Sequence, residues 1–321
     1  MPVSARTRIF AAVVFLVPFS ALFFQPTGSV AYAGGERGSL VRVANIYLSP
    51  DTNSSKLAEI ERGRELVVLE SSRGDWVHVE ALLSEEKTLS GWILDRGFVR
   101  TSNPDGDKIL FGAGAESEDE ASRRHGRRGA DQDALRLYYR VYDLFPASPL
   151  AGEALYRAAD IRWQVERADV MSRPSARERE PILREGMNEE WMKEVMKKFP
   201  GTKWADLAAF HLIENKLCGD WQGSSKCPDK EADYYEKYAN DRPQSPAAPQ
   251  ALYLAASRRA ALIDIYKTEE QKKKIEEARA KAAALAQKAV QQYPQSDWAA
   301  RAQALLFLVQ QGVPTYGNAV E

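Results

Sequence analysis

Apolar and polar residues follow three different patterns along the chain. Residues 9–24 form an apolar run without a charge. Between residues 41 and 99, short apolar runs alternate with turn residues, a pattern that is typical of β-strands. We therefore predict a multidomain protein with an all-β part followed by an all-α part, because after Asp131 apolar residues recur at the spacing of one helix face: Leu135, Tyr138, Tyr139, Tyr142 and Phe145.

The first 33 residues have the features of a secretory signal peptide. Arg6 and Arg8 precede the apolar run, and residues 31–33 (AYA) match an A-x-A cleavage site. An uncleaved membrane anchor is the alternative, but the run is shorter than the ~20 residues that span a bilayer. The sequence therefore predicts residues 1–33 as a signal peptide. The mature protein is expected to be exported, either periplasmic or extracellular, without stable membrane insertion.

The two cysteines, Cys218 and Cys227, lie in a segment rich in turn residues. In an oxidising compartment such a pair most often forms a disulfide, which in the chain-entropy model stabilises a loop this short by about 2.6 kcal/mol. A zinc site with His211 and a catalytic thiol are the alternatives. His211 lies ~10.5 Å of helical rise before Cys218, too far for a Cys–His pair, so we predict a disulfide, with no metal and no cofactor.

The β segment has the strand lengths of a small barrel. Strands of four to six residues, separated by Gly63, Gly74, Gly91 and Gly97, indicate a barrel or sandwich. This part of the chain is therefore predicted to be a small β barrel or sandwich.

Residues 40–101 also resemble bacterial SH3 domains. Residues 45–51 (NIYLSPD) are similar to the family's N-V-R-x-x-P-S opening, residues 74–79 (GDWVHV) to its G-x-W-x-x-V element, and residues 91–93 (GWI) to its G-W-V element. Tyr47 stands where the family usually has Arg, and the loop at residues 84–88 is longer and acidic. We therefore expect an SH3-like β barrel whose ligand surface differs from that of the family.

The resemblance implies that this domain binds cell-wall peptide or peptidoglycan. Its candidate binding residues are Tyr47, Trp76, His78 and Trp92. The alternative places these aromatic side chains in the core, because a barrel of this size buries little surface.

Residues 102–130 are predicted to be a flexible, disordered linker. They combine an acidic block at residues 116–120 and a basic block at residues 123–128 with five glycines. A segment of high charge and low hydrophobicity buries too little apolar surface to offset its chain entropy. Docking of the basic block on anionic lipid or wall polymer is the alternative.

One short phrase recurs four times in residues 131–321. An aromatic residue or Arg is followed by Pro, then Ser or Thr two residues later, then small residues. Because Pro ends a helix and Ser or Thr caps the next one, each phrase predicts a turn between helices. The phrases are FPASPLA at residues 145–151, FPGTKWA at 199–205, RPQSPAA at 242–248 and YPQSDWA at 293–299.

This region resembles the tetratricopeptide-like repeats of bacterial envelope proteins, in which a similar aromatic-Pro phrase joins helix pairs. The resemblance implies an α-helical repeat solenoid over residues 131–321 that binds a protein partner on its concave face. Tyr138, Trp163 and Tyr253 are the candidate contact residues. The aromatic residues of the phrases, among them Trp204 and Trp298, are expected to be core at the seams between helices.

The net charge of the chain and its lack of catalytic motifs reduce the number of functional classes to consider. The chain has 44 Lys and Arg against 45 Asp and Glu, so its net charge of −1 argues against a nucleic-acid partner. The sequence contains no recognised catalytic motif, and no catalytic residue is predicted. We expect a non-enzymatic exported envelope adaptor whose repeats bind an unidentified envelope protein. The alternatives are a purely structural repeat protein whose SH3-like domain packs on the repeats and, less favoured, an accessory part of a cell-wall hydrolase.

Overall fold

The computed structural model of the protein describes residues 35–84 and 87–317. The predicted signal peptide lies outside these residues. As the strand and helix patterns predict, an antiparallel β-sheet is followed by a helical region. None of the helices in the described part of the chain is both long and apolar enough to cross a membrane.

Seven strands form one sheet in the order β3-β2-β6-β5-β4-β1-β7. Their apolar residues alternate, and one face buries a core that includes Ile46, Val77, Val79 and Ile93. The strand bounds are β1 Arg37–Leu40, β2 Ala44–Tyr47, β3 Lys56–Ile60, β4 Glu65–Arg73, β5 Trp76–Ser84, β6 Lys87–Leu94 and β7 Phe98–Arg100.

The sheet is open, so the predicted closed barrel is wrong. Within the described strands, the edge strands β3 and β7 pair only with β2 and β1. β7 has three residues, and its buried Val99 packs in a cluster with Leu110, Leu137 and Val141 of the helical region. Helices therefore cover the edge that barrel closure would require.

The described residues contain nine α-helices. Helices that are neighbours in sequence pack against each other, as α1 with α2, α6 with α7 and α8 with α9. Two short 3₁₀ turns, Pro174–Arg177 and Pro181–Leu183, lie between α3 and α4. The helix bounds are α1 Gly106–Ser122, α2 Ala130–Leu144, α3 Ala151–Ser172, α4 Glu190–Lys198, α5 Lys203–Glu214, α6 Lys226–Asp241, α7 Ala248–Thr268, α8 Lys272–Gln292 and α9 Asp297–Gln311.

Helix α1 occupies most of the segment predicted to be a disordered linker, and that prediction is wrong there. Leu110 and Ser117 of α1 are fully buried against its neighbours. The hydroxyl of Tyr138 on α2 donates a 2.6 Å hydrogen bond to Glu118. A Cβ atom at Gly114 would lie 3.0 Å from the Tyr138 ring, so this glycine permits the close approach of α1 to α2.

The four phrases form four similar turns. The residue before each Pro, which caps the preceding helix, has φ between −126° and −135° and ψ between 51° and 58° in all four. Its carbonyl accepts a hydrogen bond from the N–H of the Ser or Thr three residues later. Thr202 and Ser296 cap the next helix through their side chains as predicted. In the two Ser-Pro copies the helix instead begins later, at Ala151 and Ala248.

Helices α2–α5 and α6–α9 follow the same plan. Residues 151–159 of α3 (AGEALYRAA) and residues 248–256 of α7 (APQALYLAA) share the pattern A-x-x-A-L-Y-x-A-A. Every Ala and Leu of this pattern is buried in both helices. The Tyr of each copy packs on the Trp of the next phrase, with ring centroids 5.4 Å apart in both pairs: Tyr156 with Trp204, and Tyr253 with Trp298.

Charged side chains join the sheet to α2. Arg140 of α2 donates to Glu65 of β4 at 3.0 Å and to Asp143 at 2.6 Å. Arg37 of β1 donates to Asp143 at 2.7 Å and also contacts Glu65. Residues 35–317 belong to one compact unit, so the sheet and the helices are packed together instead of being tethered.

Candidate functional site

The outer face of the sheet brings the four predicted aromatic residues together. Tyr47 pairs with Trp92 across β2 and β6, and Trp92 pairs with His78 across β6 and β5. Directly paired residues of antiparallel strands lie on the same face. The row continues to Lys56 on β3, which pairs with Tyr47, and to Glu70 on β4, which pairs with His78. We call these five residues, from Lys56 to Glu70, the aromatic row.

The rings of this face pack on one another. His78 stacks on Trp92 with centroids 4.8 Å apart and an interplanar angle of 14°. Trp76 meets Tyr47 edge-on at 5.5 Å. Trp92 is 7% exposed, whereas Tyr47, Trp76 and His78 are half-buried. Trp92 is therefore the floor of the surface, and the other three present ring atoms to solvent.

The two ends of the aromatic row carry opposite charges. The exposed ammonium of Lys56, which lies 3.4 Å from Glu59 Oε2, is at one end, and the exposed carboxylate of Glu70 is at the other. Between them, the Nδ1 atom of His78 is buried and makes no hydrogen bond within the described residues; it lies 4.0 Å from Glu70 Oε1. The surface therefore offers a cation, an apolar strip and an anion in sequence.

Two of the three predicted contact residues in the helices are inaccessible. Tyr138 is fully buried and Trp163 is 1% exposed. Their polar atoms are satisfied internally, because Tyr138 bonds Glu118 and the indole Nε1 of Trp163 donates to Glu214 at 3.0 Å. Placing them on a concave binding face is therefore wrong; both are core residues whose polar ends have partners.

Tyr253 is half-buried and remains the one predicted helical residue that reaches the surface. It packs on Trp298, whose ring also has the Arg301 guanidinium 4.5 Å from its centroid. Trp204 is similarly half-buried, with the Lys203 ammonium 4.3 Å from its ring. These tryptophans bridge helices, as expected of seam residues, although neither is fully enclosed.

A polar cluster between α3 and α5 was missed in the sequence. The hydroxyl of Tyr156 lies 3.2 Å from Nε2 of His211, which lies 3.2 Å from Asp160. Burial lowers the pKa of His211, an effect that the nearby Asp160 opposes. Burial likewise raises the pKa of Asp160 and that of the Tyr156 phenol. In the sequence His211 lies near Cys218, whereas Tyr156 and Asp160 belong to another helix, so local spacing does not predict them as its partners.

Cys218 and Cys227 form the expected disulfide, with Cα atoms 6.0 Å apart. Among the described residues, no group of three His, Cys, Asp or Glu side chains is placed to hold a metal ion. The disulfide closes the loop between α5 and α6.

No protein-family profile matches the chain. No curated protein matches it significantly either. The resemblances to bacterial SH3 domains and tetratricopeptide-like repeats therefore rest on the motifs and turns described above and stay predictions.

Proposed function

We propose that the protein is a non-enzymatic, exported envelope adaptor. Its SH3-like sheet binds cell-wall peptide or peptidoglycan, and its tetratricopeptide-like repeats bind an envelope protein. The aromatic row and the adjacent Trp76 carry this proposal, because three half-buried rings surround a tryptophan floor on one sheet face. The disulfide supports export, since such bonds persist in oxidising compartments.

The dimensions of the row suit a short extended peptide. It crosses five strands, and four inter-strand spacings give ~19 Å, the length of about five or six extended residues. Aromatic rings supply apolar contact area with a low entropic cost. Lys56 would pair with a carboxylate at one end of the ligand, and Glu70 with an amine at the other. The ligand class is therefore a short peptide with charges of both signs.

Binding of purified peptidoglycan by the chain without residues 1–33 tests this function. Trp76→Ala removes a half-buried ring beside the row, so we expect at least a tenfold loss of affinity, equivalent to about 1.4 kcal/mol. Val43→Ala is the matched control, because Val43 is 46% exposed on the same domain but lies outside the row. Equal binding by the Trp76 variant and the control would contradict the proposed site.

A structural role is the second candidate. It is favoured by the ion pairs of Arg37 and Arg140 with Glu65 and Asp143, which join the sheet to α2. In that case the sheet serves to cap the helices, and only the helices recruit a partner. Failure of the folded wild-type chain to bind any peptidoglycan fraction would support this candidate over the adaptor.

A further inference from the structure

The two four-helix units differ in their connections. In the second unit, α7 and α8 are joined by residues 269–271 alone. In the first unit, the corresponding connection between α3 and α4 is residues 173–189 and includes both 3₁₀ turns. The first unit is also followed by the disulfide loop, residues 215–225 and Cys227. The first unit therefore has a longer connection than the second, and it is followed by a disulfide loop.

The long connection and the disulfide loop pack against each other through their backbones. The N–H of Gly219 donates to the carbonyl of Glu178 at 3.0 Å, and that of Asp220 donates to the carbonyl of Arg177 at 3.2 Å. A Cβ atom at Gly219 would lie 2.5 Å from the Ala176 carbonyl oxygen. The contact is therefore as close as a glycine permits, and the two segments form one wall.

A cleft of about 640 Å³ lies between this wall and α3. The cleft is largely open to solvent, and its volume is within the ~300–1,000 Å³ range of small-molecule sites. Part of its lining is apolar, from Met171, Ala176, Leu217 and the disulfide, and part is charged. The charged residues are Arg167, Arg177, Arg184, Glu214 and Asp220.

The cleft has more cations than it has carboxylates to pair with them. Glu214 is occupied by Arg167 and by the indole of Trp163. Arg177 and Arg184 have no carboxylate at ion-pair distance among the described residues; Asp220 instead accepts a hydrogen bond from the N–H of Gln222 at 3.0 Å. Neither lining arginine therefore has an ion-pair partner among the described residues, although the more distant Glu231 and Glu214 act on the charge of Arg184.

Arg184 is the stronger indication of a ligand. Its Nη2 atom donates to the carbonyl of Leu217 at 2.6 Å, but its Nε atom is buried and has no hydrogen-bond partner in the described part of the chain. Burial lowers the pKa of this arginine. Because the Nε atom is enclosed by the protein, an acceptor in the cleft would reach this half-buried guanidinium through its Nη atoms. Its planar fork of N–H groups matches a carboxylate.

We propose that this cleft binds a short apolar peptide through its C-terminal carboxylate. Arg184 and Arg177 hold the carboxylate, and the side chains of the peptide pack on Met171, Leu217 and the disulfide. A carboxylate with an apolar body fits the lining better than a bare inorganic anion, which would leave the apolar wall and most of the volume unused. This site is separate from the aromatic row and does not depend on the function proposed for it.

Calorimetric titration of the chain without residues 1–33 tests the ligand class. The probes are acetyl-Leu-Ala-Ala with a free C-terminal carboxylate, the same peptide as its C-terminal amide, and inorganic phosphate. We expect the free acid to bind at least tenfold more tightly than the amide, and more tightly than phosphate. Equal affinities for acid and amide, phosphate binding as tight as that of the acid, or no binding at millimolar acid would overturn the proposal.

Variants then locate the site. Arg184→Gln is expected to weaken binding of the free acid at least tenfold, and Arg177→Gln about fivefold. Arg184→Lys keeps the charge but loses the fork, so its affinity should lie between wild type and Arg184→Gln. Arg124→Gln is the charge-matched control, because Arg124 is exposed and lies outside the cleft.

Peptide affinities of two further variants test whether the cleft is the binding site. If Arg184→Gln does not fold, as judged by circular dichroism, the exposed Arg177 carries the test, and unchanged affinity in Arg177→Gln overturns the proposal. Trp76→Ala should leave binding of the acetylated tripeptide unchanged. A loss in that variant would place the peptide on the aromatic row and overturn the cleft as its site.

Discussion

Gly63 of the sheet lies directly against Arg136 of α2: a Cβ atom at Gly63 would approach the Arg136 Cβ atom to 2.5 Å. The Gly63 carbonyl also accepts a hydrogen bond from Arg140 Nε at 3.3 Å, and Arg136 Nε donates to the Arg62 carbonyl at 2.8 Å. The turn before β4 is thus a docking point between the sheet and the helical region.

Gly63→Ala should loosen this docking. Gly63 has φ +74°, which costs a non-glycine residue about 1–2 kcal/mol, and the collision with α2 adds roughly 1–3 kcal/mol of overpacking. Gly74→Ala is the matched control, because Gly74 has φ +62° but nothing within 4 Å of its Cβ position. Thermal unfolding should show the larger loss for Gly63→Ala; equal losses would mean that the contact with α2 contributes nothing.

Limited proteolysis should reveal α1 as an ordered helix. Trypsin is expected to cut after the exposed Arg123, Arg124 and Arg128 and to spare Lys108, because α1 packs on α2. The nicked protein should still elute as one species in gel filtration, since the hydrogen bond of Tyr138 to Glu118 and the burial of Leu110 hold α1 in place. Rapid cleavage at Lys108 would indicate that the segment is unfolded.

The Tyr–Trp pairs should contribute to stability in both four-helix units. Trp204→Ala removes the ring that stacks on Tyr156, and we expect a loss of about 3 kcal/mol, at the lower end for buried aromatic residues because Trp204 is half-buried. Trp298→Ala should behave alike. Phe307→Ala is the control, since Phe307 is 58% exposed and should cost only about 0.5 kcal/mol. An unchanged melting temperature in both Trp variants, measured by circular dichroism, would refute the seam role.

Acid should destabilise the protein through His211. Its pKa is lowered in the folded state by burial, so the unfolded chain takes up this proton at a higher pH and stability falls as pH drops below about 6.5. The melting temperature should therefore decrease between pH 7.5 and 5.5, and by less in His211→Gln. Asp160→Asn should steepen the decrease, because the charge of Asp160 raises the pKa of His211. A His211→Gln variant with the wild-type pH profile would contradict this assignment.

The turns between helices could be predicted because their chemistry is local. In FPGTKWA, Pro200 ends one helix and Thr202 caps the next, and neither effect depends on distant residues. The disulfide likewise follows from two cysteines nine residues apart. The outward positions of Tyr47, Trp76 and His78 follow from strand alternation around the buried Ile46 and Val77.

Interactions between distant residues were the ones that sequence reasoning missed. Helix α1 has little apolar surface of its own, and a glycine such as Gly114 favours a prediction of disorder. In the structure, Gly114 is the residue of α1 that lies against the Tyr138 ring. Whether the sheet closes depends on β7, whose edge is covered by helices that begin after it. The burial of Tyr138 and Trp163 depends on Glu118 and Glu214, which supply partners from other helices. The pattern shared by α3 and α7 is local, because it begins at the last residue of the first and third phrases in the sequence.

The docking of the sheet on α2 also has a consequence for synthesis on the ribosome. Arg62 and Arg136 are 74 residues apart, and Glu65 and Arg140 are 75 apart. At about 5–20 residues per second, α2 emerges roughly 4–15 s after the strand that it contacts. Of the ion pairs that the structure shows for Glu65 and Arg37, only the one between these two residues can form during that interval. The sheet edge at β7 is not yet covered by helices. The newly made sheet must therefore depend on its own core, which includes Ile46 and Ile93.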